Sequence, residues 1–304
     1  MQLVSVVLCS YNGIAFIQNQ LDSLEAQTYG NIEFICSDNN SDDGTDVVLK
    51  NWCSKNPSTR KFITCAEKGL NKNFFNAIPF ATGTYVMFCD QDDIWLPEKI
   101  ELLVKFHEKN KRASMVYCLS QKFHNQIPTS IKRKKITHLE GSNIKKTMLI
   151  SHTLGHNILI KNEVLKNIPV PNGELVAYDW WITVSAMSMG YIACLPQVLT
   201  YWRQHHYNTT TTINKGLYYK SRILYLKTFL TNSLISDENK NWIIKANINF
   251  KQLRTKQFSF SLFLFLLKNA NLIFFYKRKK NIFLKWISFT KWAYRMSKQS
   301  FRVG

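Results

Sequence analysis

The sequence predicts an α/β fold with a mostly parallel central sheet flanked by helices. Up to about residue 113, short apolar runs typical of strands alternate with longer stretches that have helical patterning. The predicted strands lie near residues 4–9, 32–37, 61–65 and 85–89, and the predicted helices near 16–26, 46–52, 73–81 and 97–109. Each strand-like run ends in a polar group. Because parallel strands present their carboxyl ends at one edge of a sheet, these polar groups are expected to converge on one crevice.

Further elements are expected beyond residue 113. Strands are predicted near 115–119 and 198–202, and ordered structure near 152–160 and 178–189. Between them, residues 122–135 are polar and basic, which favours a surface loop. Residues 209–212 have the composition of a hinge into the C-terminal part of the chain.

The composition is that of a globular protein. Its 304 residues are 45% hydrophobic, which is ample for a packed core. Seven cysteines, an odd number without CxxC spacing, lie largely in apolar runs, so we expect buried, reduced thiols. The first residues, MQLVSVVLCSYNG, lack a basic leader and a cleavage site, and they predict a first strand and a cytoplasmic protein.

The net charge of +20 is concentrated at the C-terminus. Residues 1–208 carry 21 Lys and Arg against 18 Asp and Glu, whereas 209–304 carry 19 against Asp237 and Glu238 alone. We therefore divide the chain into a catalytic domain, 1–208, and a basic helical region, 209–304. Such a basic region could contact nucleic acid or an anionic membrane, or could be a solvated helical face.

The C-terminal region is also rich in aliphatic and aromatic residues. Only 11 uncharged residues separate Lys256 from Lys268, fewer than the ~20 that a spanning helix needs. Apolar surface flanked by Lys and Arg is typical of helices that lie in the interface of an anionic membrane leaflet. The alternative is that these helices pack their apolar side on the catalytic domain.

Three carboxylates crowd the end of the fourth predicted strand. Asp90, Asp92 and Asp93 follow the apolar run 85–89 directly. Such a cluster can be a polar turn with a helix cap, a catalytic pair or a metal site. Asp90 and Asp92, in D-x-D spacing, offer hard oxygen ligands suited to Mg²⁺ or Mn²⁺, and a divalent ion would offset their repulsion.

Five segments together resemble the inverting nucleotide-sugar glycosyltransferases of family 2, which have the GT-A fold, and most closely a rhamnosyltransferase-like bacterial branch. They are VSVVLCSYNG, LDSLEAQTYGNIEFICSDNNSDDGT, FCDQDDIWLPEK, YDWW and YWRQHHYN, in that order. The resemblance covers about two thirds of the chain. It implies a GT-A, Rossmann-like catalytic domain with the basic, aromatic helical extension behind it.

The resemblance implies roles for residues that follow the first three strands. Tyr11 would lie against the pyrimidine ring of the donor nucleotide, and Asp38 would accept a hydrogen bond from the base. Asn39 stands where the family usually has a second Asp; its amide oxygen can also accept, but the identity of the base is left open. Lys72 matches a basic position that faces the donor, although an exposed loop lysine is the alternative.

The resemblance also assigns the acids. Asp92 would bind the metal directly, Asp90 would contact the donor ribose or the ion, and Asp93 would support the turn. Asp179, in YDWW, matches the general base that deprotonates the acceptor hydroxyl, a task for which a positioned carboxylate is suited. An N-cap role for Asp179 is compatible with that function.

The remaining assignments concern charge and stacking. Arg203 and His205 match an Arg-x-His motif that would stabilise the departing nucleoside diphosphate, with His205 as an additional metal ligand. Trp180 is an equal candidate for stacking on the acceptor sugar and for the core, and Trp181 is assigned to the core.

The function implied is transfer of one sugar from a nucleotide-sugar donor, for which the branch favours dTDP-rhamnose, to a lipid-linked oligosaccharide acceptor. The setting is bacterial surface polysaccharide assembly, peripheral on the inner face of the cytoplasmic membrane. The alternatives are a nucleic-acid-binding protein, disfavoured by acidic strand exits, a noncatalytic scaffold, and an enzyme that glycosylates a polyprenyl phosphate.

Overall fold

The computed structural model describes residues 1–131, 137–206, 218–277 and 281–301. These residues group into two compact units. The first comprises Met1–Lys132, Glu140–Ser142 and Thr153–Gln204, and the second Arg133–Leu139, Asn143–His152 and His205–Gly304, in each case over their described parts. The predicted hinge at 209–212 lies outside the described residues.

The described part of the first unit is built on an eight-stranded sheet with the order β3-β2-β1-β4-β7-β6-β8-β5. Its strands are β1 Val4–Ser10, β2 Ile32–Asp38, β3 Arg60–Thr64, β4 Tyr85–Asp90, β5 Ile94–Trp95, β6 Ala113–Phe123, β7 Ile158–Lys161 and β8 Tyr191–Arg203. The first four predicted strands are confirmed, and they pair in parallel. Their carboxyl ends therefore meet at one edge, as the sequence predicts.

The second half of the sheet departs from the parallel pattern. β7 runs antiparallel to both β4 and β6, and β5 runs antiparallel to β8, whereas β6 and β8 pair in parallel. In the β4–β7 ladder Met87 lies opposite Leu159. The residues that precede β7 are consequently carried to the carboxyl end of β4, where the acid loop begins.

Six helices are described in the first unit. They are α1 Ile17–Glu25, α2 Thr45–Ser54, α3 Leu70–Ala77, α4 Lys99–Lys109, α5 Asn162–Leu165 and α6 Tyr178–Met189. Gly44, with φ 93°, precedes α2 in the left-handed region that a side chain disfavours. The predicted helices at these places are confirmed within a few residues at their ends.

Strand alternation decides which face of β4 each residue covers. Met87 and Cys89 belong to the core that α1, α2 and α4 share with the sheet. Phe88 points to the other face, where its ring lies 5.5 Å from that of Tyr178 in α6. Asp90 continues the Phe88 side, so its carboxylate is directed toward α6.

The described part of the second unit contains α7 Tyr218–Leu230, α8 Asp237–Lys251, α9 Phe260–Lys268, α10 Ala270–Ile273 and α11 Ile282–Met296. Side chains cap several of them: Ser259 accepts a hydrogen bond from the Leu262 N–H of α9, and Asn281 accepts one from the Phe283 N–H of α11. Leu149 joins this unit through its carbonyl oxygen, which accepts hydrogen bonds from Tyr218 and Arg222.

The cysteines and the apolar helices bear on two expectations from composition. All seven cysteines are buried and none forms a disulfide, as predicted. Within the described ranges, no helix combines the length and the apolar character that crossing a bilayer requires.

Candidate active site

The acid loop, residues 90–93, leaves the sheet at the end of β4 and returns through β5. Asp93 is fully buried, and the side chain of Asp90 is 34% exposed. Gln91, which follows Asp90, forms two hydrogen bonds with the main chain of Tyr11. The Tyr11 N–H donates to Gln91 Oε1 at 2.8 Å, and Gln91 Nε2 donates to the Tyr11 carbonyl oxygen at 2.9 Å. This pair joins the exits of β1 and β4.

A buried histidine holds the acid loop from behind. The Nδ1 atom of His156 lies 2.9 Å from Asp93 Oδ2 and 3.2 Å from Asp90 Oδ2. Burial alone would lower the pKa of His156, but the two carboxylates outweigh it and raise the pKa to about 9. At neutral pH the imidazolium therefore compensates part of the negative charge of the loop.

Asp90 is also tied to α6. Its Oδ1 accepts a hydrogen bond from the Tyr178 hydroxyl at 3.4 Å. A Cβ at Gly155 would overlap that hydroxyl, so only glycine permits this close approach. Residues 155–157 form a short 3₁₀ turn that leads into β7, and this turn delivers His156 to Asp90.

The oxygen and nitrogen atoms of Asp90, Asp93 and His156 lie within 4.8 Å of one another, a spacing that suits a divalent cation, which His156 could bind only after losing its proton. Nε2 of His156 has no hydrogen-bond partner among the described residues. The cluster differs from the predicted ligand set, because it includes Asp93, which was assigned to the turn, and His156, which was not predicted. His205 belongs to the second unit, so its role as a ligand stays a prediction.

Asp92 lies in the most unfavourable electrostatic environment of the loop. Burial, together with Asp93 and Asp90, raises its pKa to about 8. A carboxyl group that holds its proton at neutral pH without a cation is one that a divalent ion would ionise. Asp92 is not part of the cluster that Asp90, Asp93 and His156 form, so its role as a metal ligand stays a prediction.

Asp179 lies in the first turn of α6. Its Oδ1 accepts a 2.7 Å hydrogen bond from the Trp180 N–H, and its Oδ2 accepts a 3.1 Å bond from the Gly155 N–H. Burial chiefly, and Asp90 in addition, raises the pKa of Asp179 to about 6. Trp180 and Trp181 are 5% and 1% exposed, and the assignment of Trp180 to the acceptor stays a prediction.

Asp38, the last residue of β2, and Asn39, which follows it, are held by hydrogen bonds that include partners at the ends of the neighbouring strands. Asp38 accepts hydrogen bonds from Ser10 Oγ at 2.7 Å and from the Ser41 N–H at 2.8 Å. Asn39 Nδ2 donates to the carbonyl oxygens of Cys65 and Glu67, at 3.0 and 2.8 Å. A carboxylate at position 39 could not make these two bonds, which explains the departure from the usual Asp pair.

Lys72 lies in the first turn of α3. Its Nζ pairs with Glu67 Oε2 at 2.7 Å on the surface. Glu174, from the segment that precedes α6, accepts hydrogen bonds from the N–H groups of Asn71 and Lys72, at 2.8 and 3.1 Å. A carboxylate at a helix N-terminus is favourable, and here it ties the first turn of α3 to the segment that leads to Asp179.

Arg203, at the end of β8, also binds the acid loop. Its N–H donates to Asp93 Oδ1 at 3.0 Å, and its Nε donates to the Asp92 carbonyl at 2.9 Å. The guanidinium also lies over the Phe16 and Phe123 rings, at 5.2 and 4.6 Å. Arg203 was predicted to contact the donor; in this structure it fixes the conformation of the acid loop.

Sequence reasoning missed three supporting residues: His156, Glu174 and Lys99. Lys99 is fully buried in the first turn of α4, and its Nζ donates to the His156 carbonyl at 2.6 Å. Only the spacing of Lys99 from the acids could have drawn attention to it. His156 and Glu174 reach the site through pairings that a single sequence does not reveal.

Comparison with known proteins places the chain in a family. The model of "Glycosyl transferase family 2" matches residues 5–168. The chain is 27% identical over 232 residues to the Escherichia coli UDP-Glc:alpha-D-GlcNAc-diphosphoundecaprenol beta-1,3-glucosyltransferase WfaP, covering 74% of this chain and 86% of that protein. It spans 59% of the length of uncharacterized mycobacterial relatives, to which it is 24% identical.

Solved structures share the fold. TarS 1-349 of Staphylococcus aureus, in complex with UDP-GlcNAc, has a TM-score of 0.61 and 18% identity, over 96% of this chain and 81% of that one. The mannosyltransferase PcManGT of Pyrobaculum calidifontis, in complex with GDP-Man and Mn²⁺, has a TM-score of 0.53 and 20% identity, over 75% and 62%. The sheet with its acid loop is that of the GT-A fold, and the chain belongs to glycosyl transferase family 2.

Proposed function

We propose that the chain is a metal-dependent, inverting glycosyltransferase that moves one sugar from a nucleotide-sugar donor to a glycan acceptor. One arrangement carries this proposal. Gly155 donates its N–H to Asp179, and the next residue, His156, pairs with Asp90. Two consecutive residues thus link the candidate base to the candidate metal site, which lets both act on one substrate.

In this proposal Asp179 takes the proton of the acceptor hydroxyl as the acceptor oxygen attacks C1 of the donor sugar. The bond between C1 and the diphosphate oxygen breaks on the opposite face, so the configuration at C1 is inverted. A carboxyl group with a pKa of about 6 is largely ionised at neutral pH and still basic enough to accept this proton.

Asp90 and Asp92 would hold Mg²⁺ or Mn²⁺, with the Asp93–His156 pair fixing the loop behind them. Asp90 is the more suitable first contact because a third of its side chain is open, whereas Asp93 is closed off. A bound divalent ion would neutralise the charge that develops on the departing nucleoside diphosphate. We assign His205 as an additional ligand by the family motif.

For the donor we propose contacts from the strand exits. Tyr11 is 46% exposed and therefore has a ring face available for a pyrimidine. Asp38 and Asn39 would contact the base, Lys72 the donor and Arg203 the diphosphate. Because Arg203 already binds the acid loop, its action on the diphosphate would be through the position of that loop. dTDP-rhamnose is the first donor to test.

The acceptor we propose is a lipid-linked glycan in bacterial surface polysaccharide assembly, at the inner face of the cytoplasmic membrane. The E. coli relative is named for transfer to a diphosphoundecaprenol-linked sugar, which is that protein's acceptor. The basic C-terminal region supports the same setting, since it carries 19 Lys and Arg and two acids over residues 209–304.

The test is release of nucleoside diphosphate from a panel of UDP-, dTDP- and GDP-sugars, with Mg²⁺ or Mn²⁺, in the presence of a polyprenyl-diphosphate sugar. Asp92→Ala and Asp179→Asn should each lower the rate of release about 100-fold or more. Glu108→Gln, an exposed acid on α4, is the matched control and should turn over as the wild type does.

Turnover that survives both Asp92→Ala and Asp179→Asn would overturn the site. Retention of configuration at C1, determined by NMR of the product, would overturn the inverting mechanism while leaving the family assignment intact.

A further inference from the structure

The described part of the second unit exposes an unusual amount of apolar surface on two helices. The exposed residues are Phe260 and Leu264 on α9, and Ile282, Phe283, Leu284, Trp286, Ile287 and Tyr294 on α11, with exposures from 45% to 73%. Large exposed apolar patches on a folded chain mark sites of interaction.

Helix α11 carries two apolar stripes, one buried and one exposed, and the exposed patch is the second of them. Phe289, Ala293 and Met296 are buried and form the inward stripe. Phe283, Ile287 and Tyr294 recur at a different helical phase, and each stays at least 46% exposed. A helix that only had to pack on its own unit would need the first stripe alone.

The second stripe forms one wall of a groove. Phe263 of α9 and six residues of α11, Phe283, Trp286, Ile287, Thr290, Lys291 and Tyr294, line this groove, which has a volume of about 550 Å³. Its lining is mostly aliphatic and aromatic, with Thr290 and the cation Lys291 as the exceptions. We call this surface the α9–α11 groove.

The helices that form the groove carry cations, and their sequences contain no acid. Lys298 Nζ lies 4.3 Å from the Tyr294 ring centroid, and α9 ends in Lys268. After Glu238 the sequence contains no Asp or Glu. A surface that combines exposed apolar side chains with cations is complementary to a surface that is apolar inside and anionic outside.

We propose that the α9–α11 groove inserts into the surface of an anionic phospholipid bilayer, with the Phe283, Trp286 and Ile287 side chains among the acyl chains and Lys291 at the headgroups. This inference rests on the proposed function for its setting and identifies the surface that makes the contact. A nucleic acid fits less well, because its phosphate backbone would require cations along the groove, whose lining side chains are mostly apolar.

The test uses the full chain and vesicles of phosphatidylcholine, with or without phosphatidylglycerol, in a co-sedimentation assay without donor or acceptor. The Phe283→Ser/Trp286→Ser/Ile287→Ser variant should lower the partition onto anionic vesicles about tenfold or more, because three large apolar side chains no longer leave water. Ile244→Ser/Ile248→Ser is the matched control. These α8 residues are 42% and 55% exposed and lie outside the groove lining, so binding should be retained.

A second variant changes the charge of the groove and leaves its apolar lining residues unchanged. Lys291→Glu should weaken binding to anionic vesicles and leave the melting temperature unchanged, because Lys291 is exposed. Wild-type binding should fall as salt is raised, and neutral vesicles should bind less protein. Equal binding to neutral and anionic vesicles would overturn the assignment to an anionic surface.

The outcomes separate this inference from the proposed function. If the wild type binds anionic vesicles and the triple variant binds them equally well, the groove is wrong and the membrane setting stands. If the wild type binds no vesicles, both the groove and the membrane setting are wrong. Nucleoside diphosphate release with a water-soluble acceptor analogue tests the catalytic proposal independently of either result.

Discussion

Lys99 donates a hydrogen bond from Nζ to the main-chain oxygen of His156, at 2.6 Å, inside the first unit. The same Nζ donates to Thr200 Oγ1 at 2.7 Å and lies 3.5 Å from the centroid of the Trp95 ring. Burial lowers the pKa of Lys99 to about 8, with nearby acids acting in the opposite direction. A buried ammonium therefore supports the residue that pairs with Asp90 and Asp93.

Lys99→Met should destabilise the fold by about 2 kcal/mol, because two buried oxygens lose their donor. Chemical denaturation at pH 7 measures this. Lys105→Met on the same helix is the control; Lys105 forms only an exposed pair with Glu101, and its loss should cost at most about 0.5 kcal/mol. If Lys99→Met is as stable as the control, Lys99 does not support the acid loop.

Asp92 and Asp93 should respond to neutralisation with opposite signs. The pKa of Asp92 is raised from 3.8 to about 8, so between these values the folded state holds a proton that the unfolded chain has released. Stability is therefore lost as pH rises through this window, and Asp92→Asn should be more stable than the wild type by about 1–2 kcal/mol at pH 8 in EDTA.

Asp93→Asn removes the buried charge that pairs with His156 and should cost about 3 kcal/mol under the same conditions. The two denaturation midpoints, measured side by side, check both expectations. Equal shifts in one direction would contradict the division between Asp92, whose charge is unfavourable without a cation, and Asp93, whose charge is paired with His156.

The acid loop and the parallel half of the sheet could be predicted from the sequence because both depend on local pattern. Asp90 follows an apolar run directly, and the carboxyl ends of parallel strands meet at one edge of any such sheet. His156 could not be predicted in the same way. It reaches Asp90 because β7 runs antiparallel to β4, and the register of that ladder is fixed by tertiary packing.

Asn39 gives a second example of what pattern cannot provide. Family resemblance marks Asn39 as a departure from the usual Asp pair, and this departure leaves the identity of the donor's nucleotide base open. Its environment gives a local reason, since two carbonyl oxygens at 3.0 and 2.8 Å require a donor. The sequence carries the substitution, but both partners that explain it, Cys65 and Glu67, come from the loop that follows β3.

Asn39→Asp should therefore destabilise the fold by about 2 kcal/mol or more, because a carboxylate would face the carbonyl oxygens of Cys65 and Glu67. Thermal unfolding without nucleotide measures this effect. Asn51→Asp, at an exposed position on α2, should stay near the wild type. A stable Asn39→Asp variant with altered base preference would instead assign Asn39 chiefly to the donor.

Asp179 should set the acid limb of the pH profile. Since its pKa is raised to about 6, the ionised base is lost as pH falls below that value, and kcat/KM should decline about tenfold for each further pH unit. Asp179→Asn should lower kcat about 100-fold or more and remove this limb. Rates from pH 5 to 8 at saturating Mn²⁺ check it, and a profile with no inflection in wild type would contradict the assignment.

His152 should make the second unit sensitive to acid. Its ring lies 4.9 Å from the Phe275 ring and 5.0 Å from the Tyr276 ring, and Nε2 has no hydrogen-bond partner among the residues that the structure describes. Burial lowers its pKa from 6.5 to about 4. Below pH 6.5 the unfolded chain therefore takes up a proton that the folded chain refuses, until the pH reaches about 4.

Stability should accordingly fall with pH over that window, by up to about 1.4 kcal/mol for each pH unit. His152→Phe keeps an aromatic ring against Phe275 and Tyr276 and removes the proton, so it should flatten the dependence between pH 6.5 and 5. Urea denaturation at these two values measures the difference. His107, in the first unit, also has a pKa lowered by burial, so His107→Phe serves as the comparison. If His152→Phe loses as much stability on acidification as the wild type does, His152 is not the sensitive group.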